Sequence, residues 1–309
     1  MIAEPVMRQL PGGTFRMGSD RFYPEEHPSR EVRVDGFWID ETPVTNAAFA
    51  AFVADTGYVT LAEKAPDPRD YPGMLPELAH PGSLVFAAPS VPVPLHMVSW
   101  WEFRLGADWR RPLGPESSLD GLEDHPVVHV AWQDAAAYAA WAGKELPTEA
   151  EWEYAAWGGV SDCDYAWGKD LAPGGQMLAN YWQGPFPHAN SLADGWERTS
   201  PVGSYPPNGF GLYDMIGNVW EWTADWYGLP DKNQKPHSQC CVPRNPRGGN
   251  RKNSVDPGDP SPIPRRVLKG GSHLCAESYC QRYRPAARHP QAIDSSTSHI
   301  GFRCISRLL

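Results

Sequence analysis

Two cysteines near the end of the chain, Cys275 and Cys280, are the residues whose type and spacing best suit chemistry. They stand five residues apart, behind a Gly-Gly step at 270–271 and a histidine at 273. On a helix that spacing would point the thiols about 140° apart. On an extended strand it would set them roughly 16 Å apart and on opposite faces. They meet only if the chain turns between them, and the glycine pair makes such irregular backbone feasible. Converged thiols allow three chemistries. They can form a disulfide, structural or redox. They can bind zinc, although a structural zinc site wants four ligands. They can bind a soft monovalent ion, since thiolates select copper(I). His273 offers a third donor, and Cys240-Cys241 is a poor second pair because adjacent side chains diverge. Spacing alone leaves the three readings open.

The elements that must position this pair are short. Residues 11–45 read as strands and turns, and Glu31 to Asp35 alternates polar and apolar as a half-buried strand does. Thr45 reads as the cap of a helix whose apolar face is Ala47, Phe49, Ala50, Phe52 and Val53, ending at Gly57. Residues 62–125 are broken by prolines and read as structured loop with short strands. Helices follow at Gln133 to Trp141 and from the capping box Thr148-Glu149-Ala150-Glu151 to Gly158-Gly159. Short strands, turns and aromatic clusters follow at 160–228. The polar, Pro- and Gly-rich stretch 229–264 is expected to be a long loop, because too few residues follow it to form a domain. Arg266 to Lys269 and Gly301 to Cys304 read as strands.

Composition sets the limits. With 29 Gly and 33 Pro, roughly a fifth of the 309 residues break regular structure, yet 14 Trp, 12 Tyr and 10 Phe supply a packed core. This predicts one compact domain of ordered loops pinned by aromatic residues. A net charge of −10 argues against a nucleic-acid partner and is compatible with a basic peptide. No apolar run is long enough to span a membrane, and Met1 to Leu10 lacks the pattern of a secretory signal. A cytoplasmic location is expected.

Several segments closely resemble the formylglycine-generating enzymes, or sulfatase-modifying factors. In the tail these are Arg266 to Ser272, Cys275, Ser278-Tyr279-Cys280, Arg282-Tyr283-Arg284, Ala286-Ala287-Arg288, Asp294-Ser295-Ser296 and Gly301 to Cys304. Upstream they are Gly12 to Gly18, Leu146 to Glu153 and Asn208 to Trp222. The upstream motifs recur across a wider superfamily; the paired cysteines single out the oxidase branch. The resemblance implies a single α+β domain over residues 1–309, with little regular secondary structure, as a variant of the C-type-lectin architecture. It implies a monomer that oxidises the cysteine of a Cys-x-Pro-x-Arg segment in an unfolded sulfatase to formylglycine, using dioxygen and a thiol reductant. It places copper(I) on Cys275 and Cys280, Ser272 beside them as a hydrogen-bond donor, and Tyr279 shaping the pocket. It assigns calcium to Asn180, Tyr181, Asp194 and Trp196, and to Asp214, Gly217, Val219 and Glu221. Trp109, Trp220 and His299 are implied on the peptide side of the site, with His299 standing where eukaryotic members carry Asn. Positions matching the disulfides of secreted members are Ala139 or Ala140, Ala156 and Pro285, so Cys304 is expected to be a free buried thiol. Cys163, Cys240 and Cys241 receive no role.

Overall fold

A computed structural model describes residues 6–161, 163–229, 242–258 and 262–307. Eleven short strands and three helices carry the described chain, and most of the remainder is irregular. The strands are β1 (Met7–Leu10), β2 (Gly13–Met17), β3 (Arg30–Val34), β4 (Phe37–Asp40), β5 (Gly82–Phe86), β6 (Trp101–Leu105), β7 (Trp220–Trp226), β8 (Arg265–Lys269), β9 (Arg288–Ala292), β10 (Ile300–Gly301) and β11 (Ile305–Arg307). The helices are α1 (Asn46–Thr56), α2 (Trp132–Trp141) and α3 (Glu149–Trp157).

Local chemistry sets the helix ends. Thr45 Oγ1 accepts the Ala48 N–H at 3.2 Å, and α1 stops at Gly57, which takes the left-handed conformation with φ 66°. In α3 the Thr148 hydroxyl accepts the Glu151 N–H at 3.1 Å while the Glu151 carboxylate accepts the Thr148 N–H at 2.8 Å. All three helices lie where the sequence pattern puts them.

The strands form one four-stranded sheet in the order β10-β7-β8-β9, a three-stranded sheet β1-β4-β11, and the hairpins β2-β3 and β5-β6. β7 pairs antiparallel with β8, and β10 runs parallel to β7 with Ile300 opposite Trp220. The predicted strand Gly301 to Cys304 is only partly realised. The ladder to β7 ends at Gly301, and regular pairing resumes at Ile305 against β4. Arg303 lies between them, its buried guanidinium bound to Glu221.

Helix α3 packs on β2, β3, β7 and β8, and α1 packs on α2. The main core includes Phe49, Tyr138, Trp152, Trp222 and Phe302, and Trp222 is fully buried with its indole N–H on the Val130 carbonyl at 2.9 Å. A second aromatic cluster joins Phe86, Trp100, Trp182 and Phe186 to Leu274. In the stretch read as a long loop, the described residues pack back on the body. The Arg33 N–H donates to Pro243 O at 2.8 Å, and Arg247 pairs with Asp225 at 2.7 Å. Residues 230–241, with Cys240 and Cys241, and 259–261 lie outside the described residues. Among the described residues no helix is long and apolar enough to cross a membrane.

Candidate functional site: a dithiol at the floor of an aromatic cleft

Strand β8 delivers the site. Beyond Lys269 the chain runs through Gly270 (φ 92°) and Gly271 (φ 74°), turning away from the sheet. A tight turn then follows, with the Cys275 N–H on Ser272 O at 2.9 Å and the Cys280 N–H on Ala276 O at 2.8 Å. This turn does what helix or strand could not, and sets Cys275 Sγ 3.2 Å from Cys280 Sγ. Both cysteines are free and buried, and both line an open cleft of about 270 Å³.

The two thiols are not equivalent. The hydrogen bond between the two thiols, opposed by burial, holds Cys280 down to about 6. The Arg282 guanidinium, 3.8 Å from that sulfur, adds to the effect. Burial and the same shared proton push Cys275 well up. Near neutral pH the pair therefore carries one proton and one negative charge, with the charge on Cys280. Arg282 is in turn fixed by Glu25 at 2.6 Å and lies over the Tyr23 ring at 3.8 Å.

The cleft walls are aromatic. Tyr279 stacks on Phe186 with ring centroids 4.5 Å apart and meets Trp100 edge-on at 5.4 Å. Trp220 closes another side, with His289 across it at 5.5 Å. His299 lies on Trp101 at 4.8 Å, and its Nδ1 is 2.6 Å from the Thr297 hydroxyl. Burial drives the His299 pKa far below the ordinary value, so the ring is neutral. Ser272 is buried on the cleft lining, and its hydroxyl oxygen accepts the Leu274 N–H at 3.2 Å.

Of the expected cleft residues, Cys275, Cys280, Ser272, Tyr279, Trp220 and His299 come together. Trp109 lies elsewhere. It is only 3% exposed, packs edge-on against Phe49 at 5.1 Å in the main core, and does not line the cleft. The tryptophans that do so besides Trp220 are Trp100 and Trp101, from a stretch whose prolines hide any periodic signal. His273 does not line the cleft, and its Nδ1 lies 2.9 Å from Asn218 O. Among the described residues no set of three His, Cys, Asp or Glu side chains converges on a metal position. A closed four-ligand zinc site therefore does not fit, whereas two soft donors, one already ionised, fit a soft monovalent ion.

The residues expected to hold calcium fall in two places. Asp194 accepts the Tyr181 N–H at 3.3 Å and the Trp196 N–H at 3.0 Å, and Asn180 adjoins Tyr181. The Gln183 amide donates to both Tyr181 O and Asp194 Oδ2, so an N–H donor stands between two oxygens of the kind a hard cation takes. In the second place, Asp214 accepts the Gly203 N–H at 2.7 Å, with the Asn218 side chain and the Arg303 charge also acting on it, and burial raises its carboxyl to about 6. Both Glu221 oxygens already accept from Arg303 and Trp152, so its charge is matched within the protein. Gly217 and Val219 follow in the same loop, which the Gly217 N–H ties to Gly270 O at 2.9 Å. Cys304 is free and fully buried, as expected, and Cys163 is half-buried with its thiol on Ser161 O at 3.2 Å.

Fold and site define a cleft-bearing dithiol protein on an irregular α+β frame of the C-type-lectin-like kind. The sulfatase-modifying factor enzyme 1-like domain matches residues 3–308, and the chain belongs to that family. It is 52% identical to the formylglycine-generating enzyme of Mycobacterium tuberculosis, covering 99% of this chain and 98% of that protein. It is 48% identical to the formylglycine-generating enzyme of Streptomyces coelicolor, over 96% of this chain and 87% of the other. Among solved structures, PvdO from Pseudomonas aeruginosa superposes with a TM-score of 0.60 at 25% identity, covering 98% of this chain and 95% of PvdO.

Proposed function

We propose that this protein is a copper-dependent oxidase that converts the cysteine of a Cys-x-Pro-x-Arg segment in an unfolded sulfatase to formylglycine, with dioxygen and a thiol reductant. The observation that carries the reading is the 3.2 Å approach of Cys275 Sγ and Cys280 Sγ at the floor of an open cleft. These two sulfurs would hold the ion. When bound, copper(I) supplies a soft Lewis acid that favours the deprotonated form of a third thiol, and an electron source for dioxygen. Cys280 is already in the form a metal needs, and Cys275 would have to give up its proton to hold the ion. Tyr279, Phe186, Trp100 and Trp220 line the cleft beside the sulfurs with apolar surface, which limits water around them. His299, neutral and fixed by Thr297, offers a polar contact to the peptide. Calcium at Asp194 with Asn180, Tyr181 and Trp196, and at Asp214 with Gly217, Val219 and Glu221, would rigidify the loops that back the site.

Incubation with copper, a thiol reductant and a Cys-x-Pro-x-Arg peptide in air tests this directly. The peptide should lose the mass difference between CH2SH and CHO, and Cys275→Ser or Cys280→Ser should abolish the change. An unaltered peptide beside copper-loaded protein would overturn the proposal. The short sulfur–sulfur distance also favours a second reading, a metal-free thiol oxidoreductase cycling between dithiol and disulfide. Tight copper binding at one equivalent, with inhibition by cyanide, separates the two.

A further inference from the structure

The β5-β6 hairpin ends in an unpaired edge that starts inside the cleft. β5 and β6 form a sheet of two strands, and among the described residues no third strand pairs with the outer edge of β6. Antiparallel partners alternate between hydrogen-bonded and non-bonded pairs. The Ala87 N–H donates to Trp100 O at 2.9 Å and the Gly106 N–H to Pro81 O at 2.9 Å, which sets the bonded positions on this strand at the even residues. On β5, Leu84 N–H turns the other way, to Ser296 O at 3.3 Å, and Phe86 N–H to Ser298 Oγ at 3.1 Å. Trp101, Phe103 and Leu105, opposite Phe86, Leu84 and Gly82, therefore direct their N–H and C=O groups away from β5.

These three residues also share one face of the strand. Trp101 lines the cleft, while Phe103 and Leu105 are 37% and 46% exposed. The opposite face carries the ion pair Glu102–Arg104 at 2.9 Å. An apolar stripe and a row of free backbone groups thus run together from the cleft outward, over about 13 Å.

We propose that β6 takes an extended segment of the substrate polypeptide, flanking its target cysteine, as an added strand. This rests on the cleft being the substrate site, and deepens that reading. An unfolded chain has the free backbone groups that can pair with those of the edge, and alternate apolar side chains on it would lie over Trp101, Phe103 and Leu105. Recognition through backbone is independent of sequence, so one edge serves targets that share only a short motif. A second copy of this chain is the rival occupant.

The test uses a motif-only peptide and one lengthened by roughly four residues at each end, enough to span β6. Each is made with cysteine for turnover and with serine for anisotropy binding. The long peptide should bind better. Phe103→Pro deletes an N–H that β5 does not use, a change an edge strand tolerates. It should cut the advantage of the long peptide about tenfold, and Phe103→Ala, which keeps the N–H, should cut it less. N-methylation of the long peptide at alternate positions, tested on the unaltered protein, should weaken binding with a period of two. Equal binding of long and short peptides, no binding of either, or methylation without periodicity overturns the proposal. So does light scattering that shows dimers lost in Phe103→Pro, which would give the edge to a second copy. Binding of the long peptide without conversion supports docking at β6 and removes the oxidase reading instead.

Discussion

The guanidinium of Arg282 lies 3.8 Å from Cys280 Sγ and is anchored on its far side by Glu25 at 2.6 Å. Cys280 thus has a fixed cation beside it in addition to the thiol of Cys275. Replacing Arg282 with Met keeps the bulk and removes the charge. The thiolate absorbance of the metal-free protein should titrate near pH 6 for one of the two cleft thiols. In Arg282→Met that midpoint should move up, with the thiolate fraction near pH 6 falling about three- to tenfold. Glu25→Gln should move it less, because the guanidinium stays in place. A midpoint indifferent to Arg282 would leave the Cys275 hydrogen bond as the sole cause.

Calcium should act in a pH-dependent manner through Asp214. Burial raises this carboxyl from its usual 3.8 to about 6. The folded state therefore favours the neutral acid. That contribution to stability is complete below pH 3.8 and is lost as pH rises through 6. Above this window the folded protein holds a buried negative charge that a divalent cation would relieve. Added calcium should raise the melting temperature by several degrees above pH about 7 and have little effect below pH about 5. A chelator should reverse the gain. In Asp214→Asn the calcium response should shrink and its pH dependence should flatten. An equal response at both pH values would separate calcium from this residue.

Lys269, fully buried, ends the strand that delivers the dithiol and pairs with Glu153 at 2.8 Å. Glu153 also accepts the Gly18 N–H at 2.7 Å, so the pair ties β8 to α3 and to the end of β2. Lys269→Met strands a buried carboxylate and should cost about 3–5 kcal/mol in denaturant unfolding. The double change with Glu153→Gln should recover much of that loss, because both charges are gone. If the single and double variants were equally unstable, packing of the Lys269 stem would account for the loss.

The site was legible in the sequence where its residues are neighbours in the chain. Gly270-Gly271 and the Cys275–Cys280 spacing announced a turn, and the caps at Thr45 and Thr148 placed two helices to within a residue. What stayed hidden was brought together by the fold. Glu25 and Arg282 are 257 residues apart, and nothing in either neighbourhood signals the pair. Trp100, Trp101 and Phe186 reach the cleft from segments dominated by prolines and turns, where neither a period of 2 nor of 3.6 emerges. Trp109 shows the converse. Residue type cannot separate an aromatic that lines a cleft from one that fills the core, and Phe49, which decides the matter, lies 60 positions away.

The turn that joins the two sulfurs depends on Gly271, and a comparison with Gly57 isolates why. Both residues take left-handed backbone, with φ 74° and 66°. A Cβ on Gly57 would meet nothing within 4 Å, whereas one on Gly271 would stand 2.8 Å from Arg282 O and 2.9 Å from Tyr283 N. Gly57→Ala should therefore cost only the conformational term, about 1–2 kcal/mol, and leave the thiol titration unchanged. Gly271→Ala carries the same term and also forces rigid backbone apart just beyond Cys280. It should cost more than Gly57→Ala in denaturant unfolding, and it should disturb the thiol pair at temperatures where the protein is still folded. The measurable sign is an upward move of the Cys280 midpoint, since the hydrogen bond from Cys275 and the Arg282 contact both depend on that backbone. A Gly271→Ala protein that titrates like the original would show that the loop can relax without parting the sulfurs.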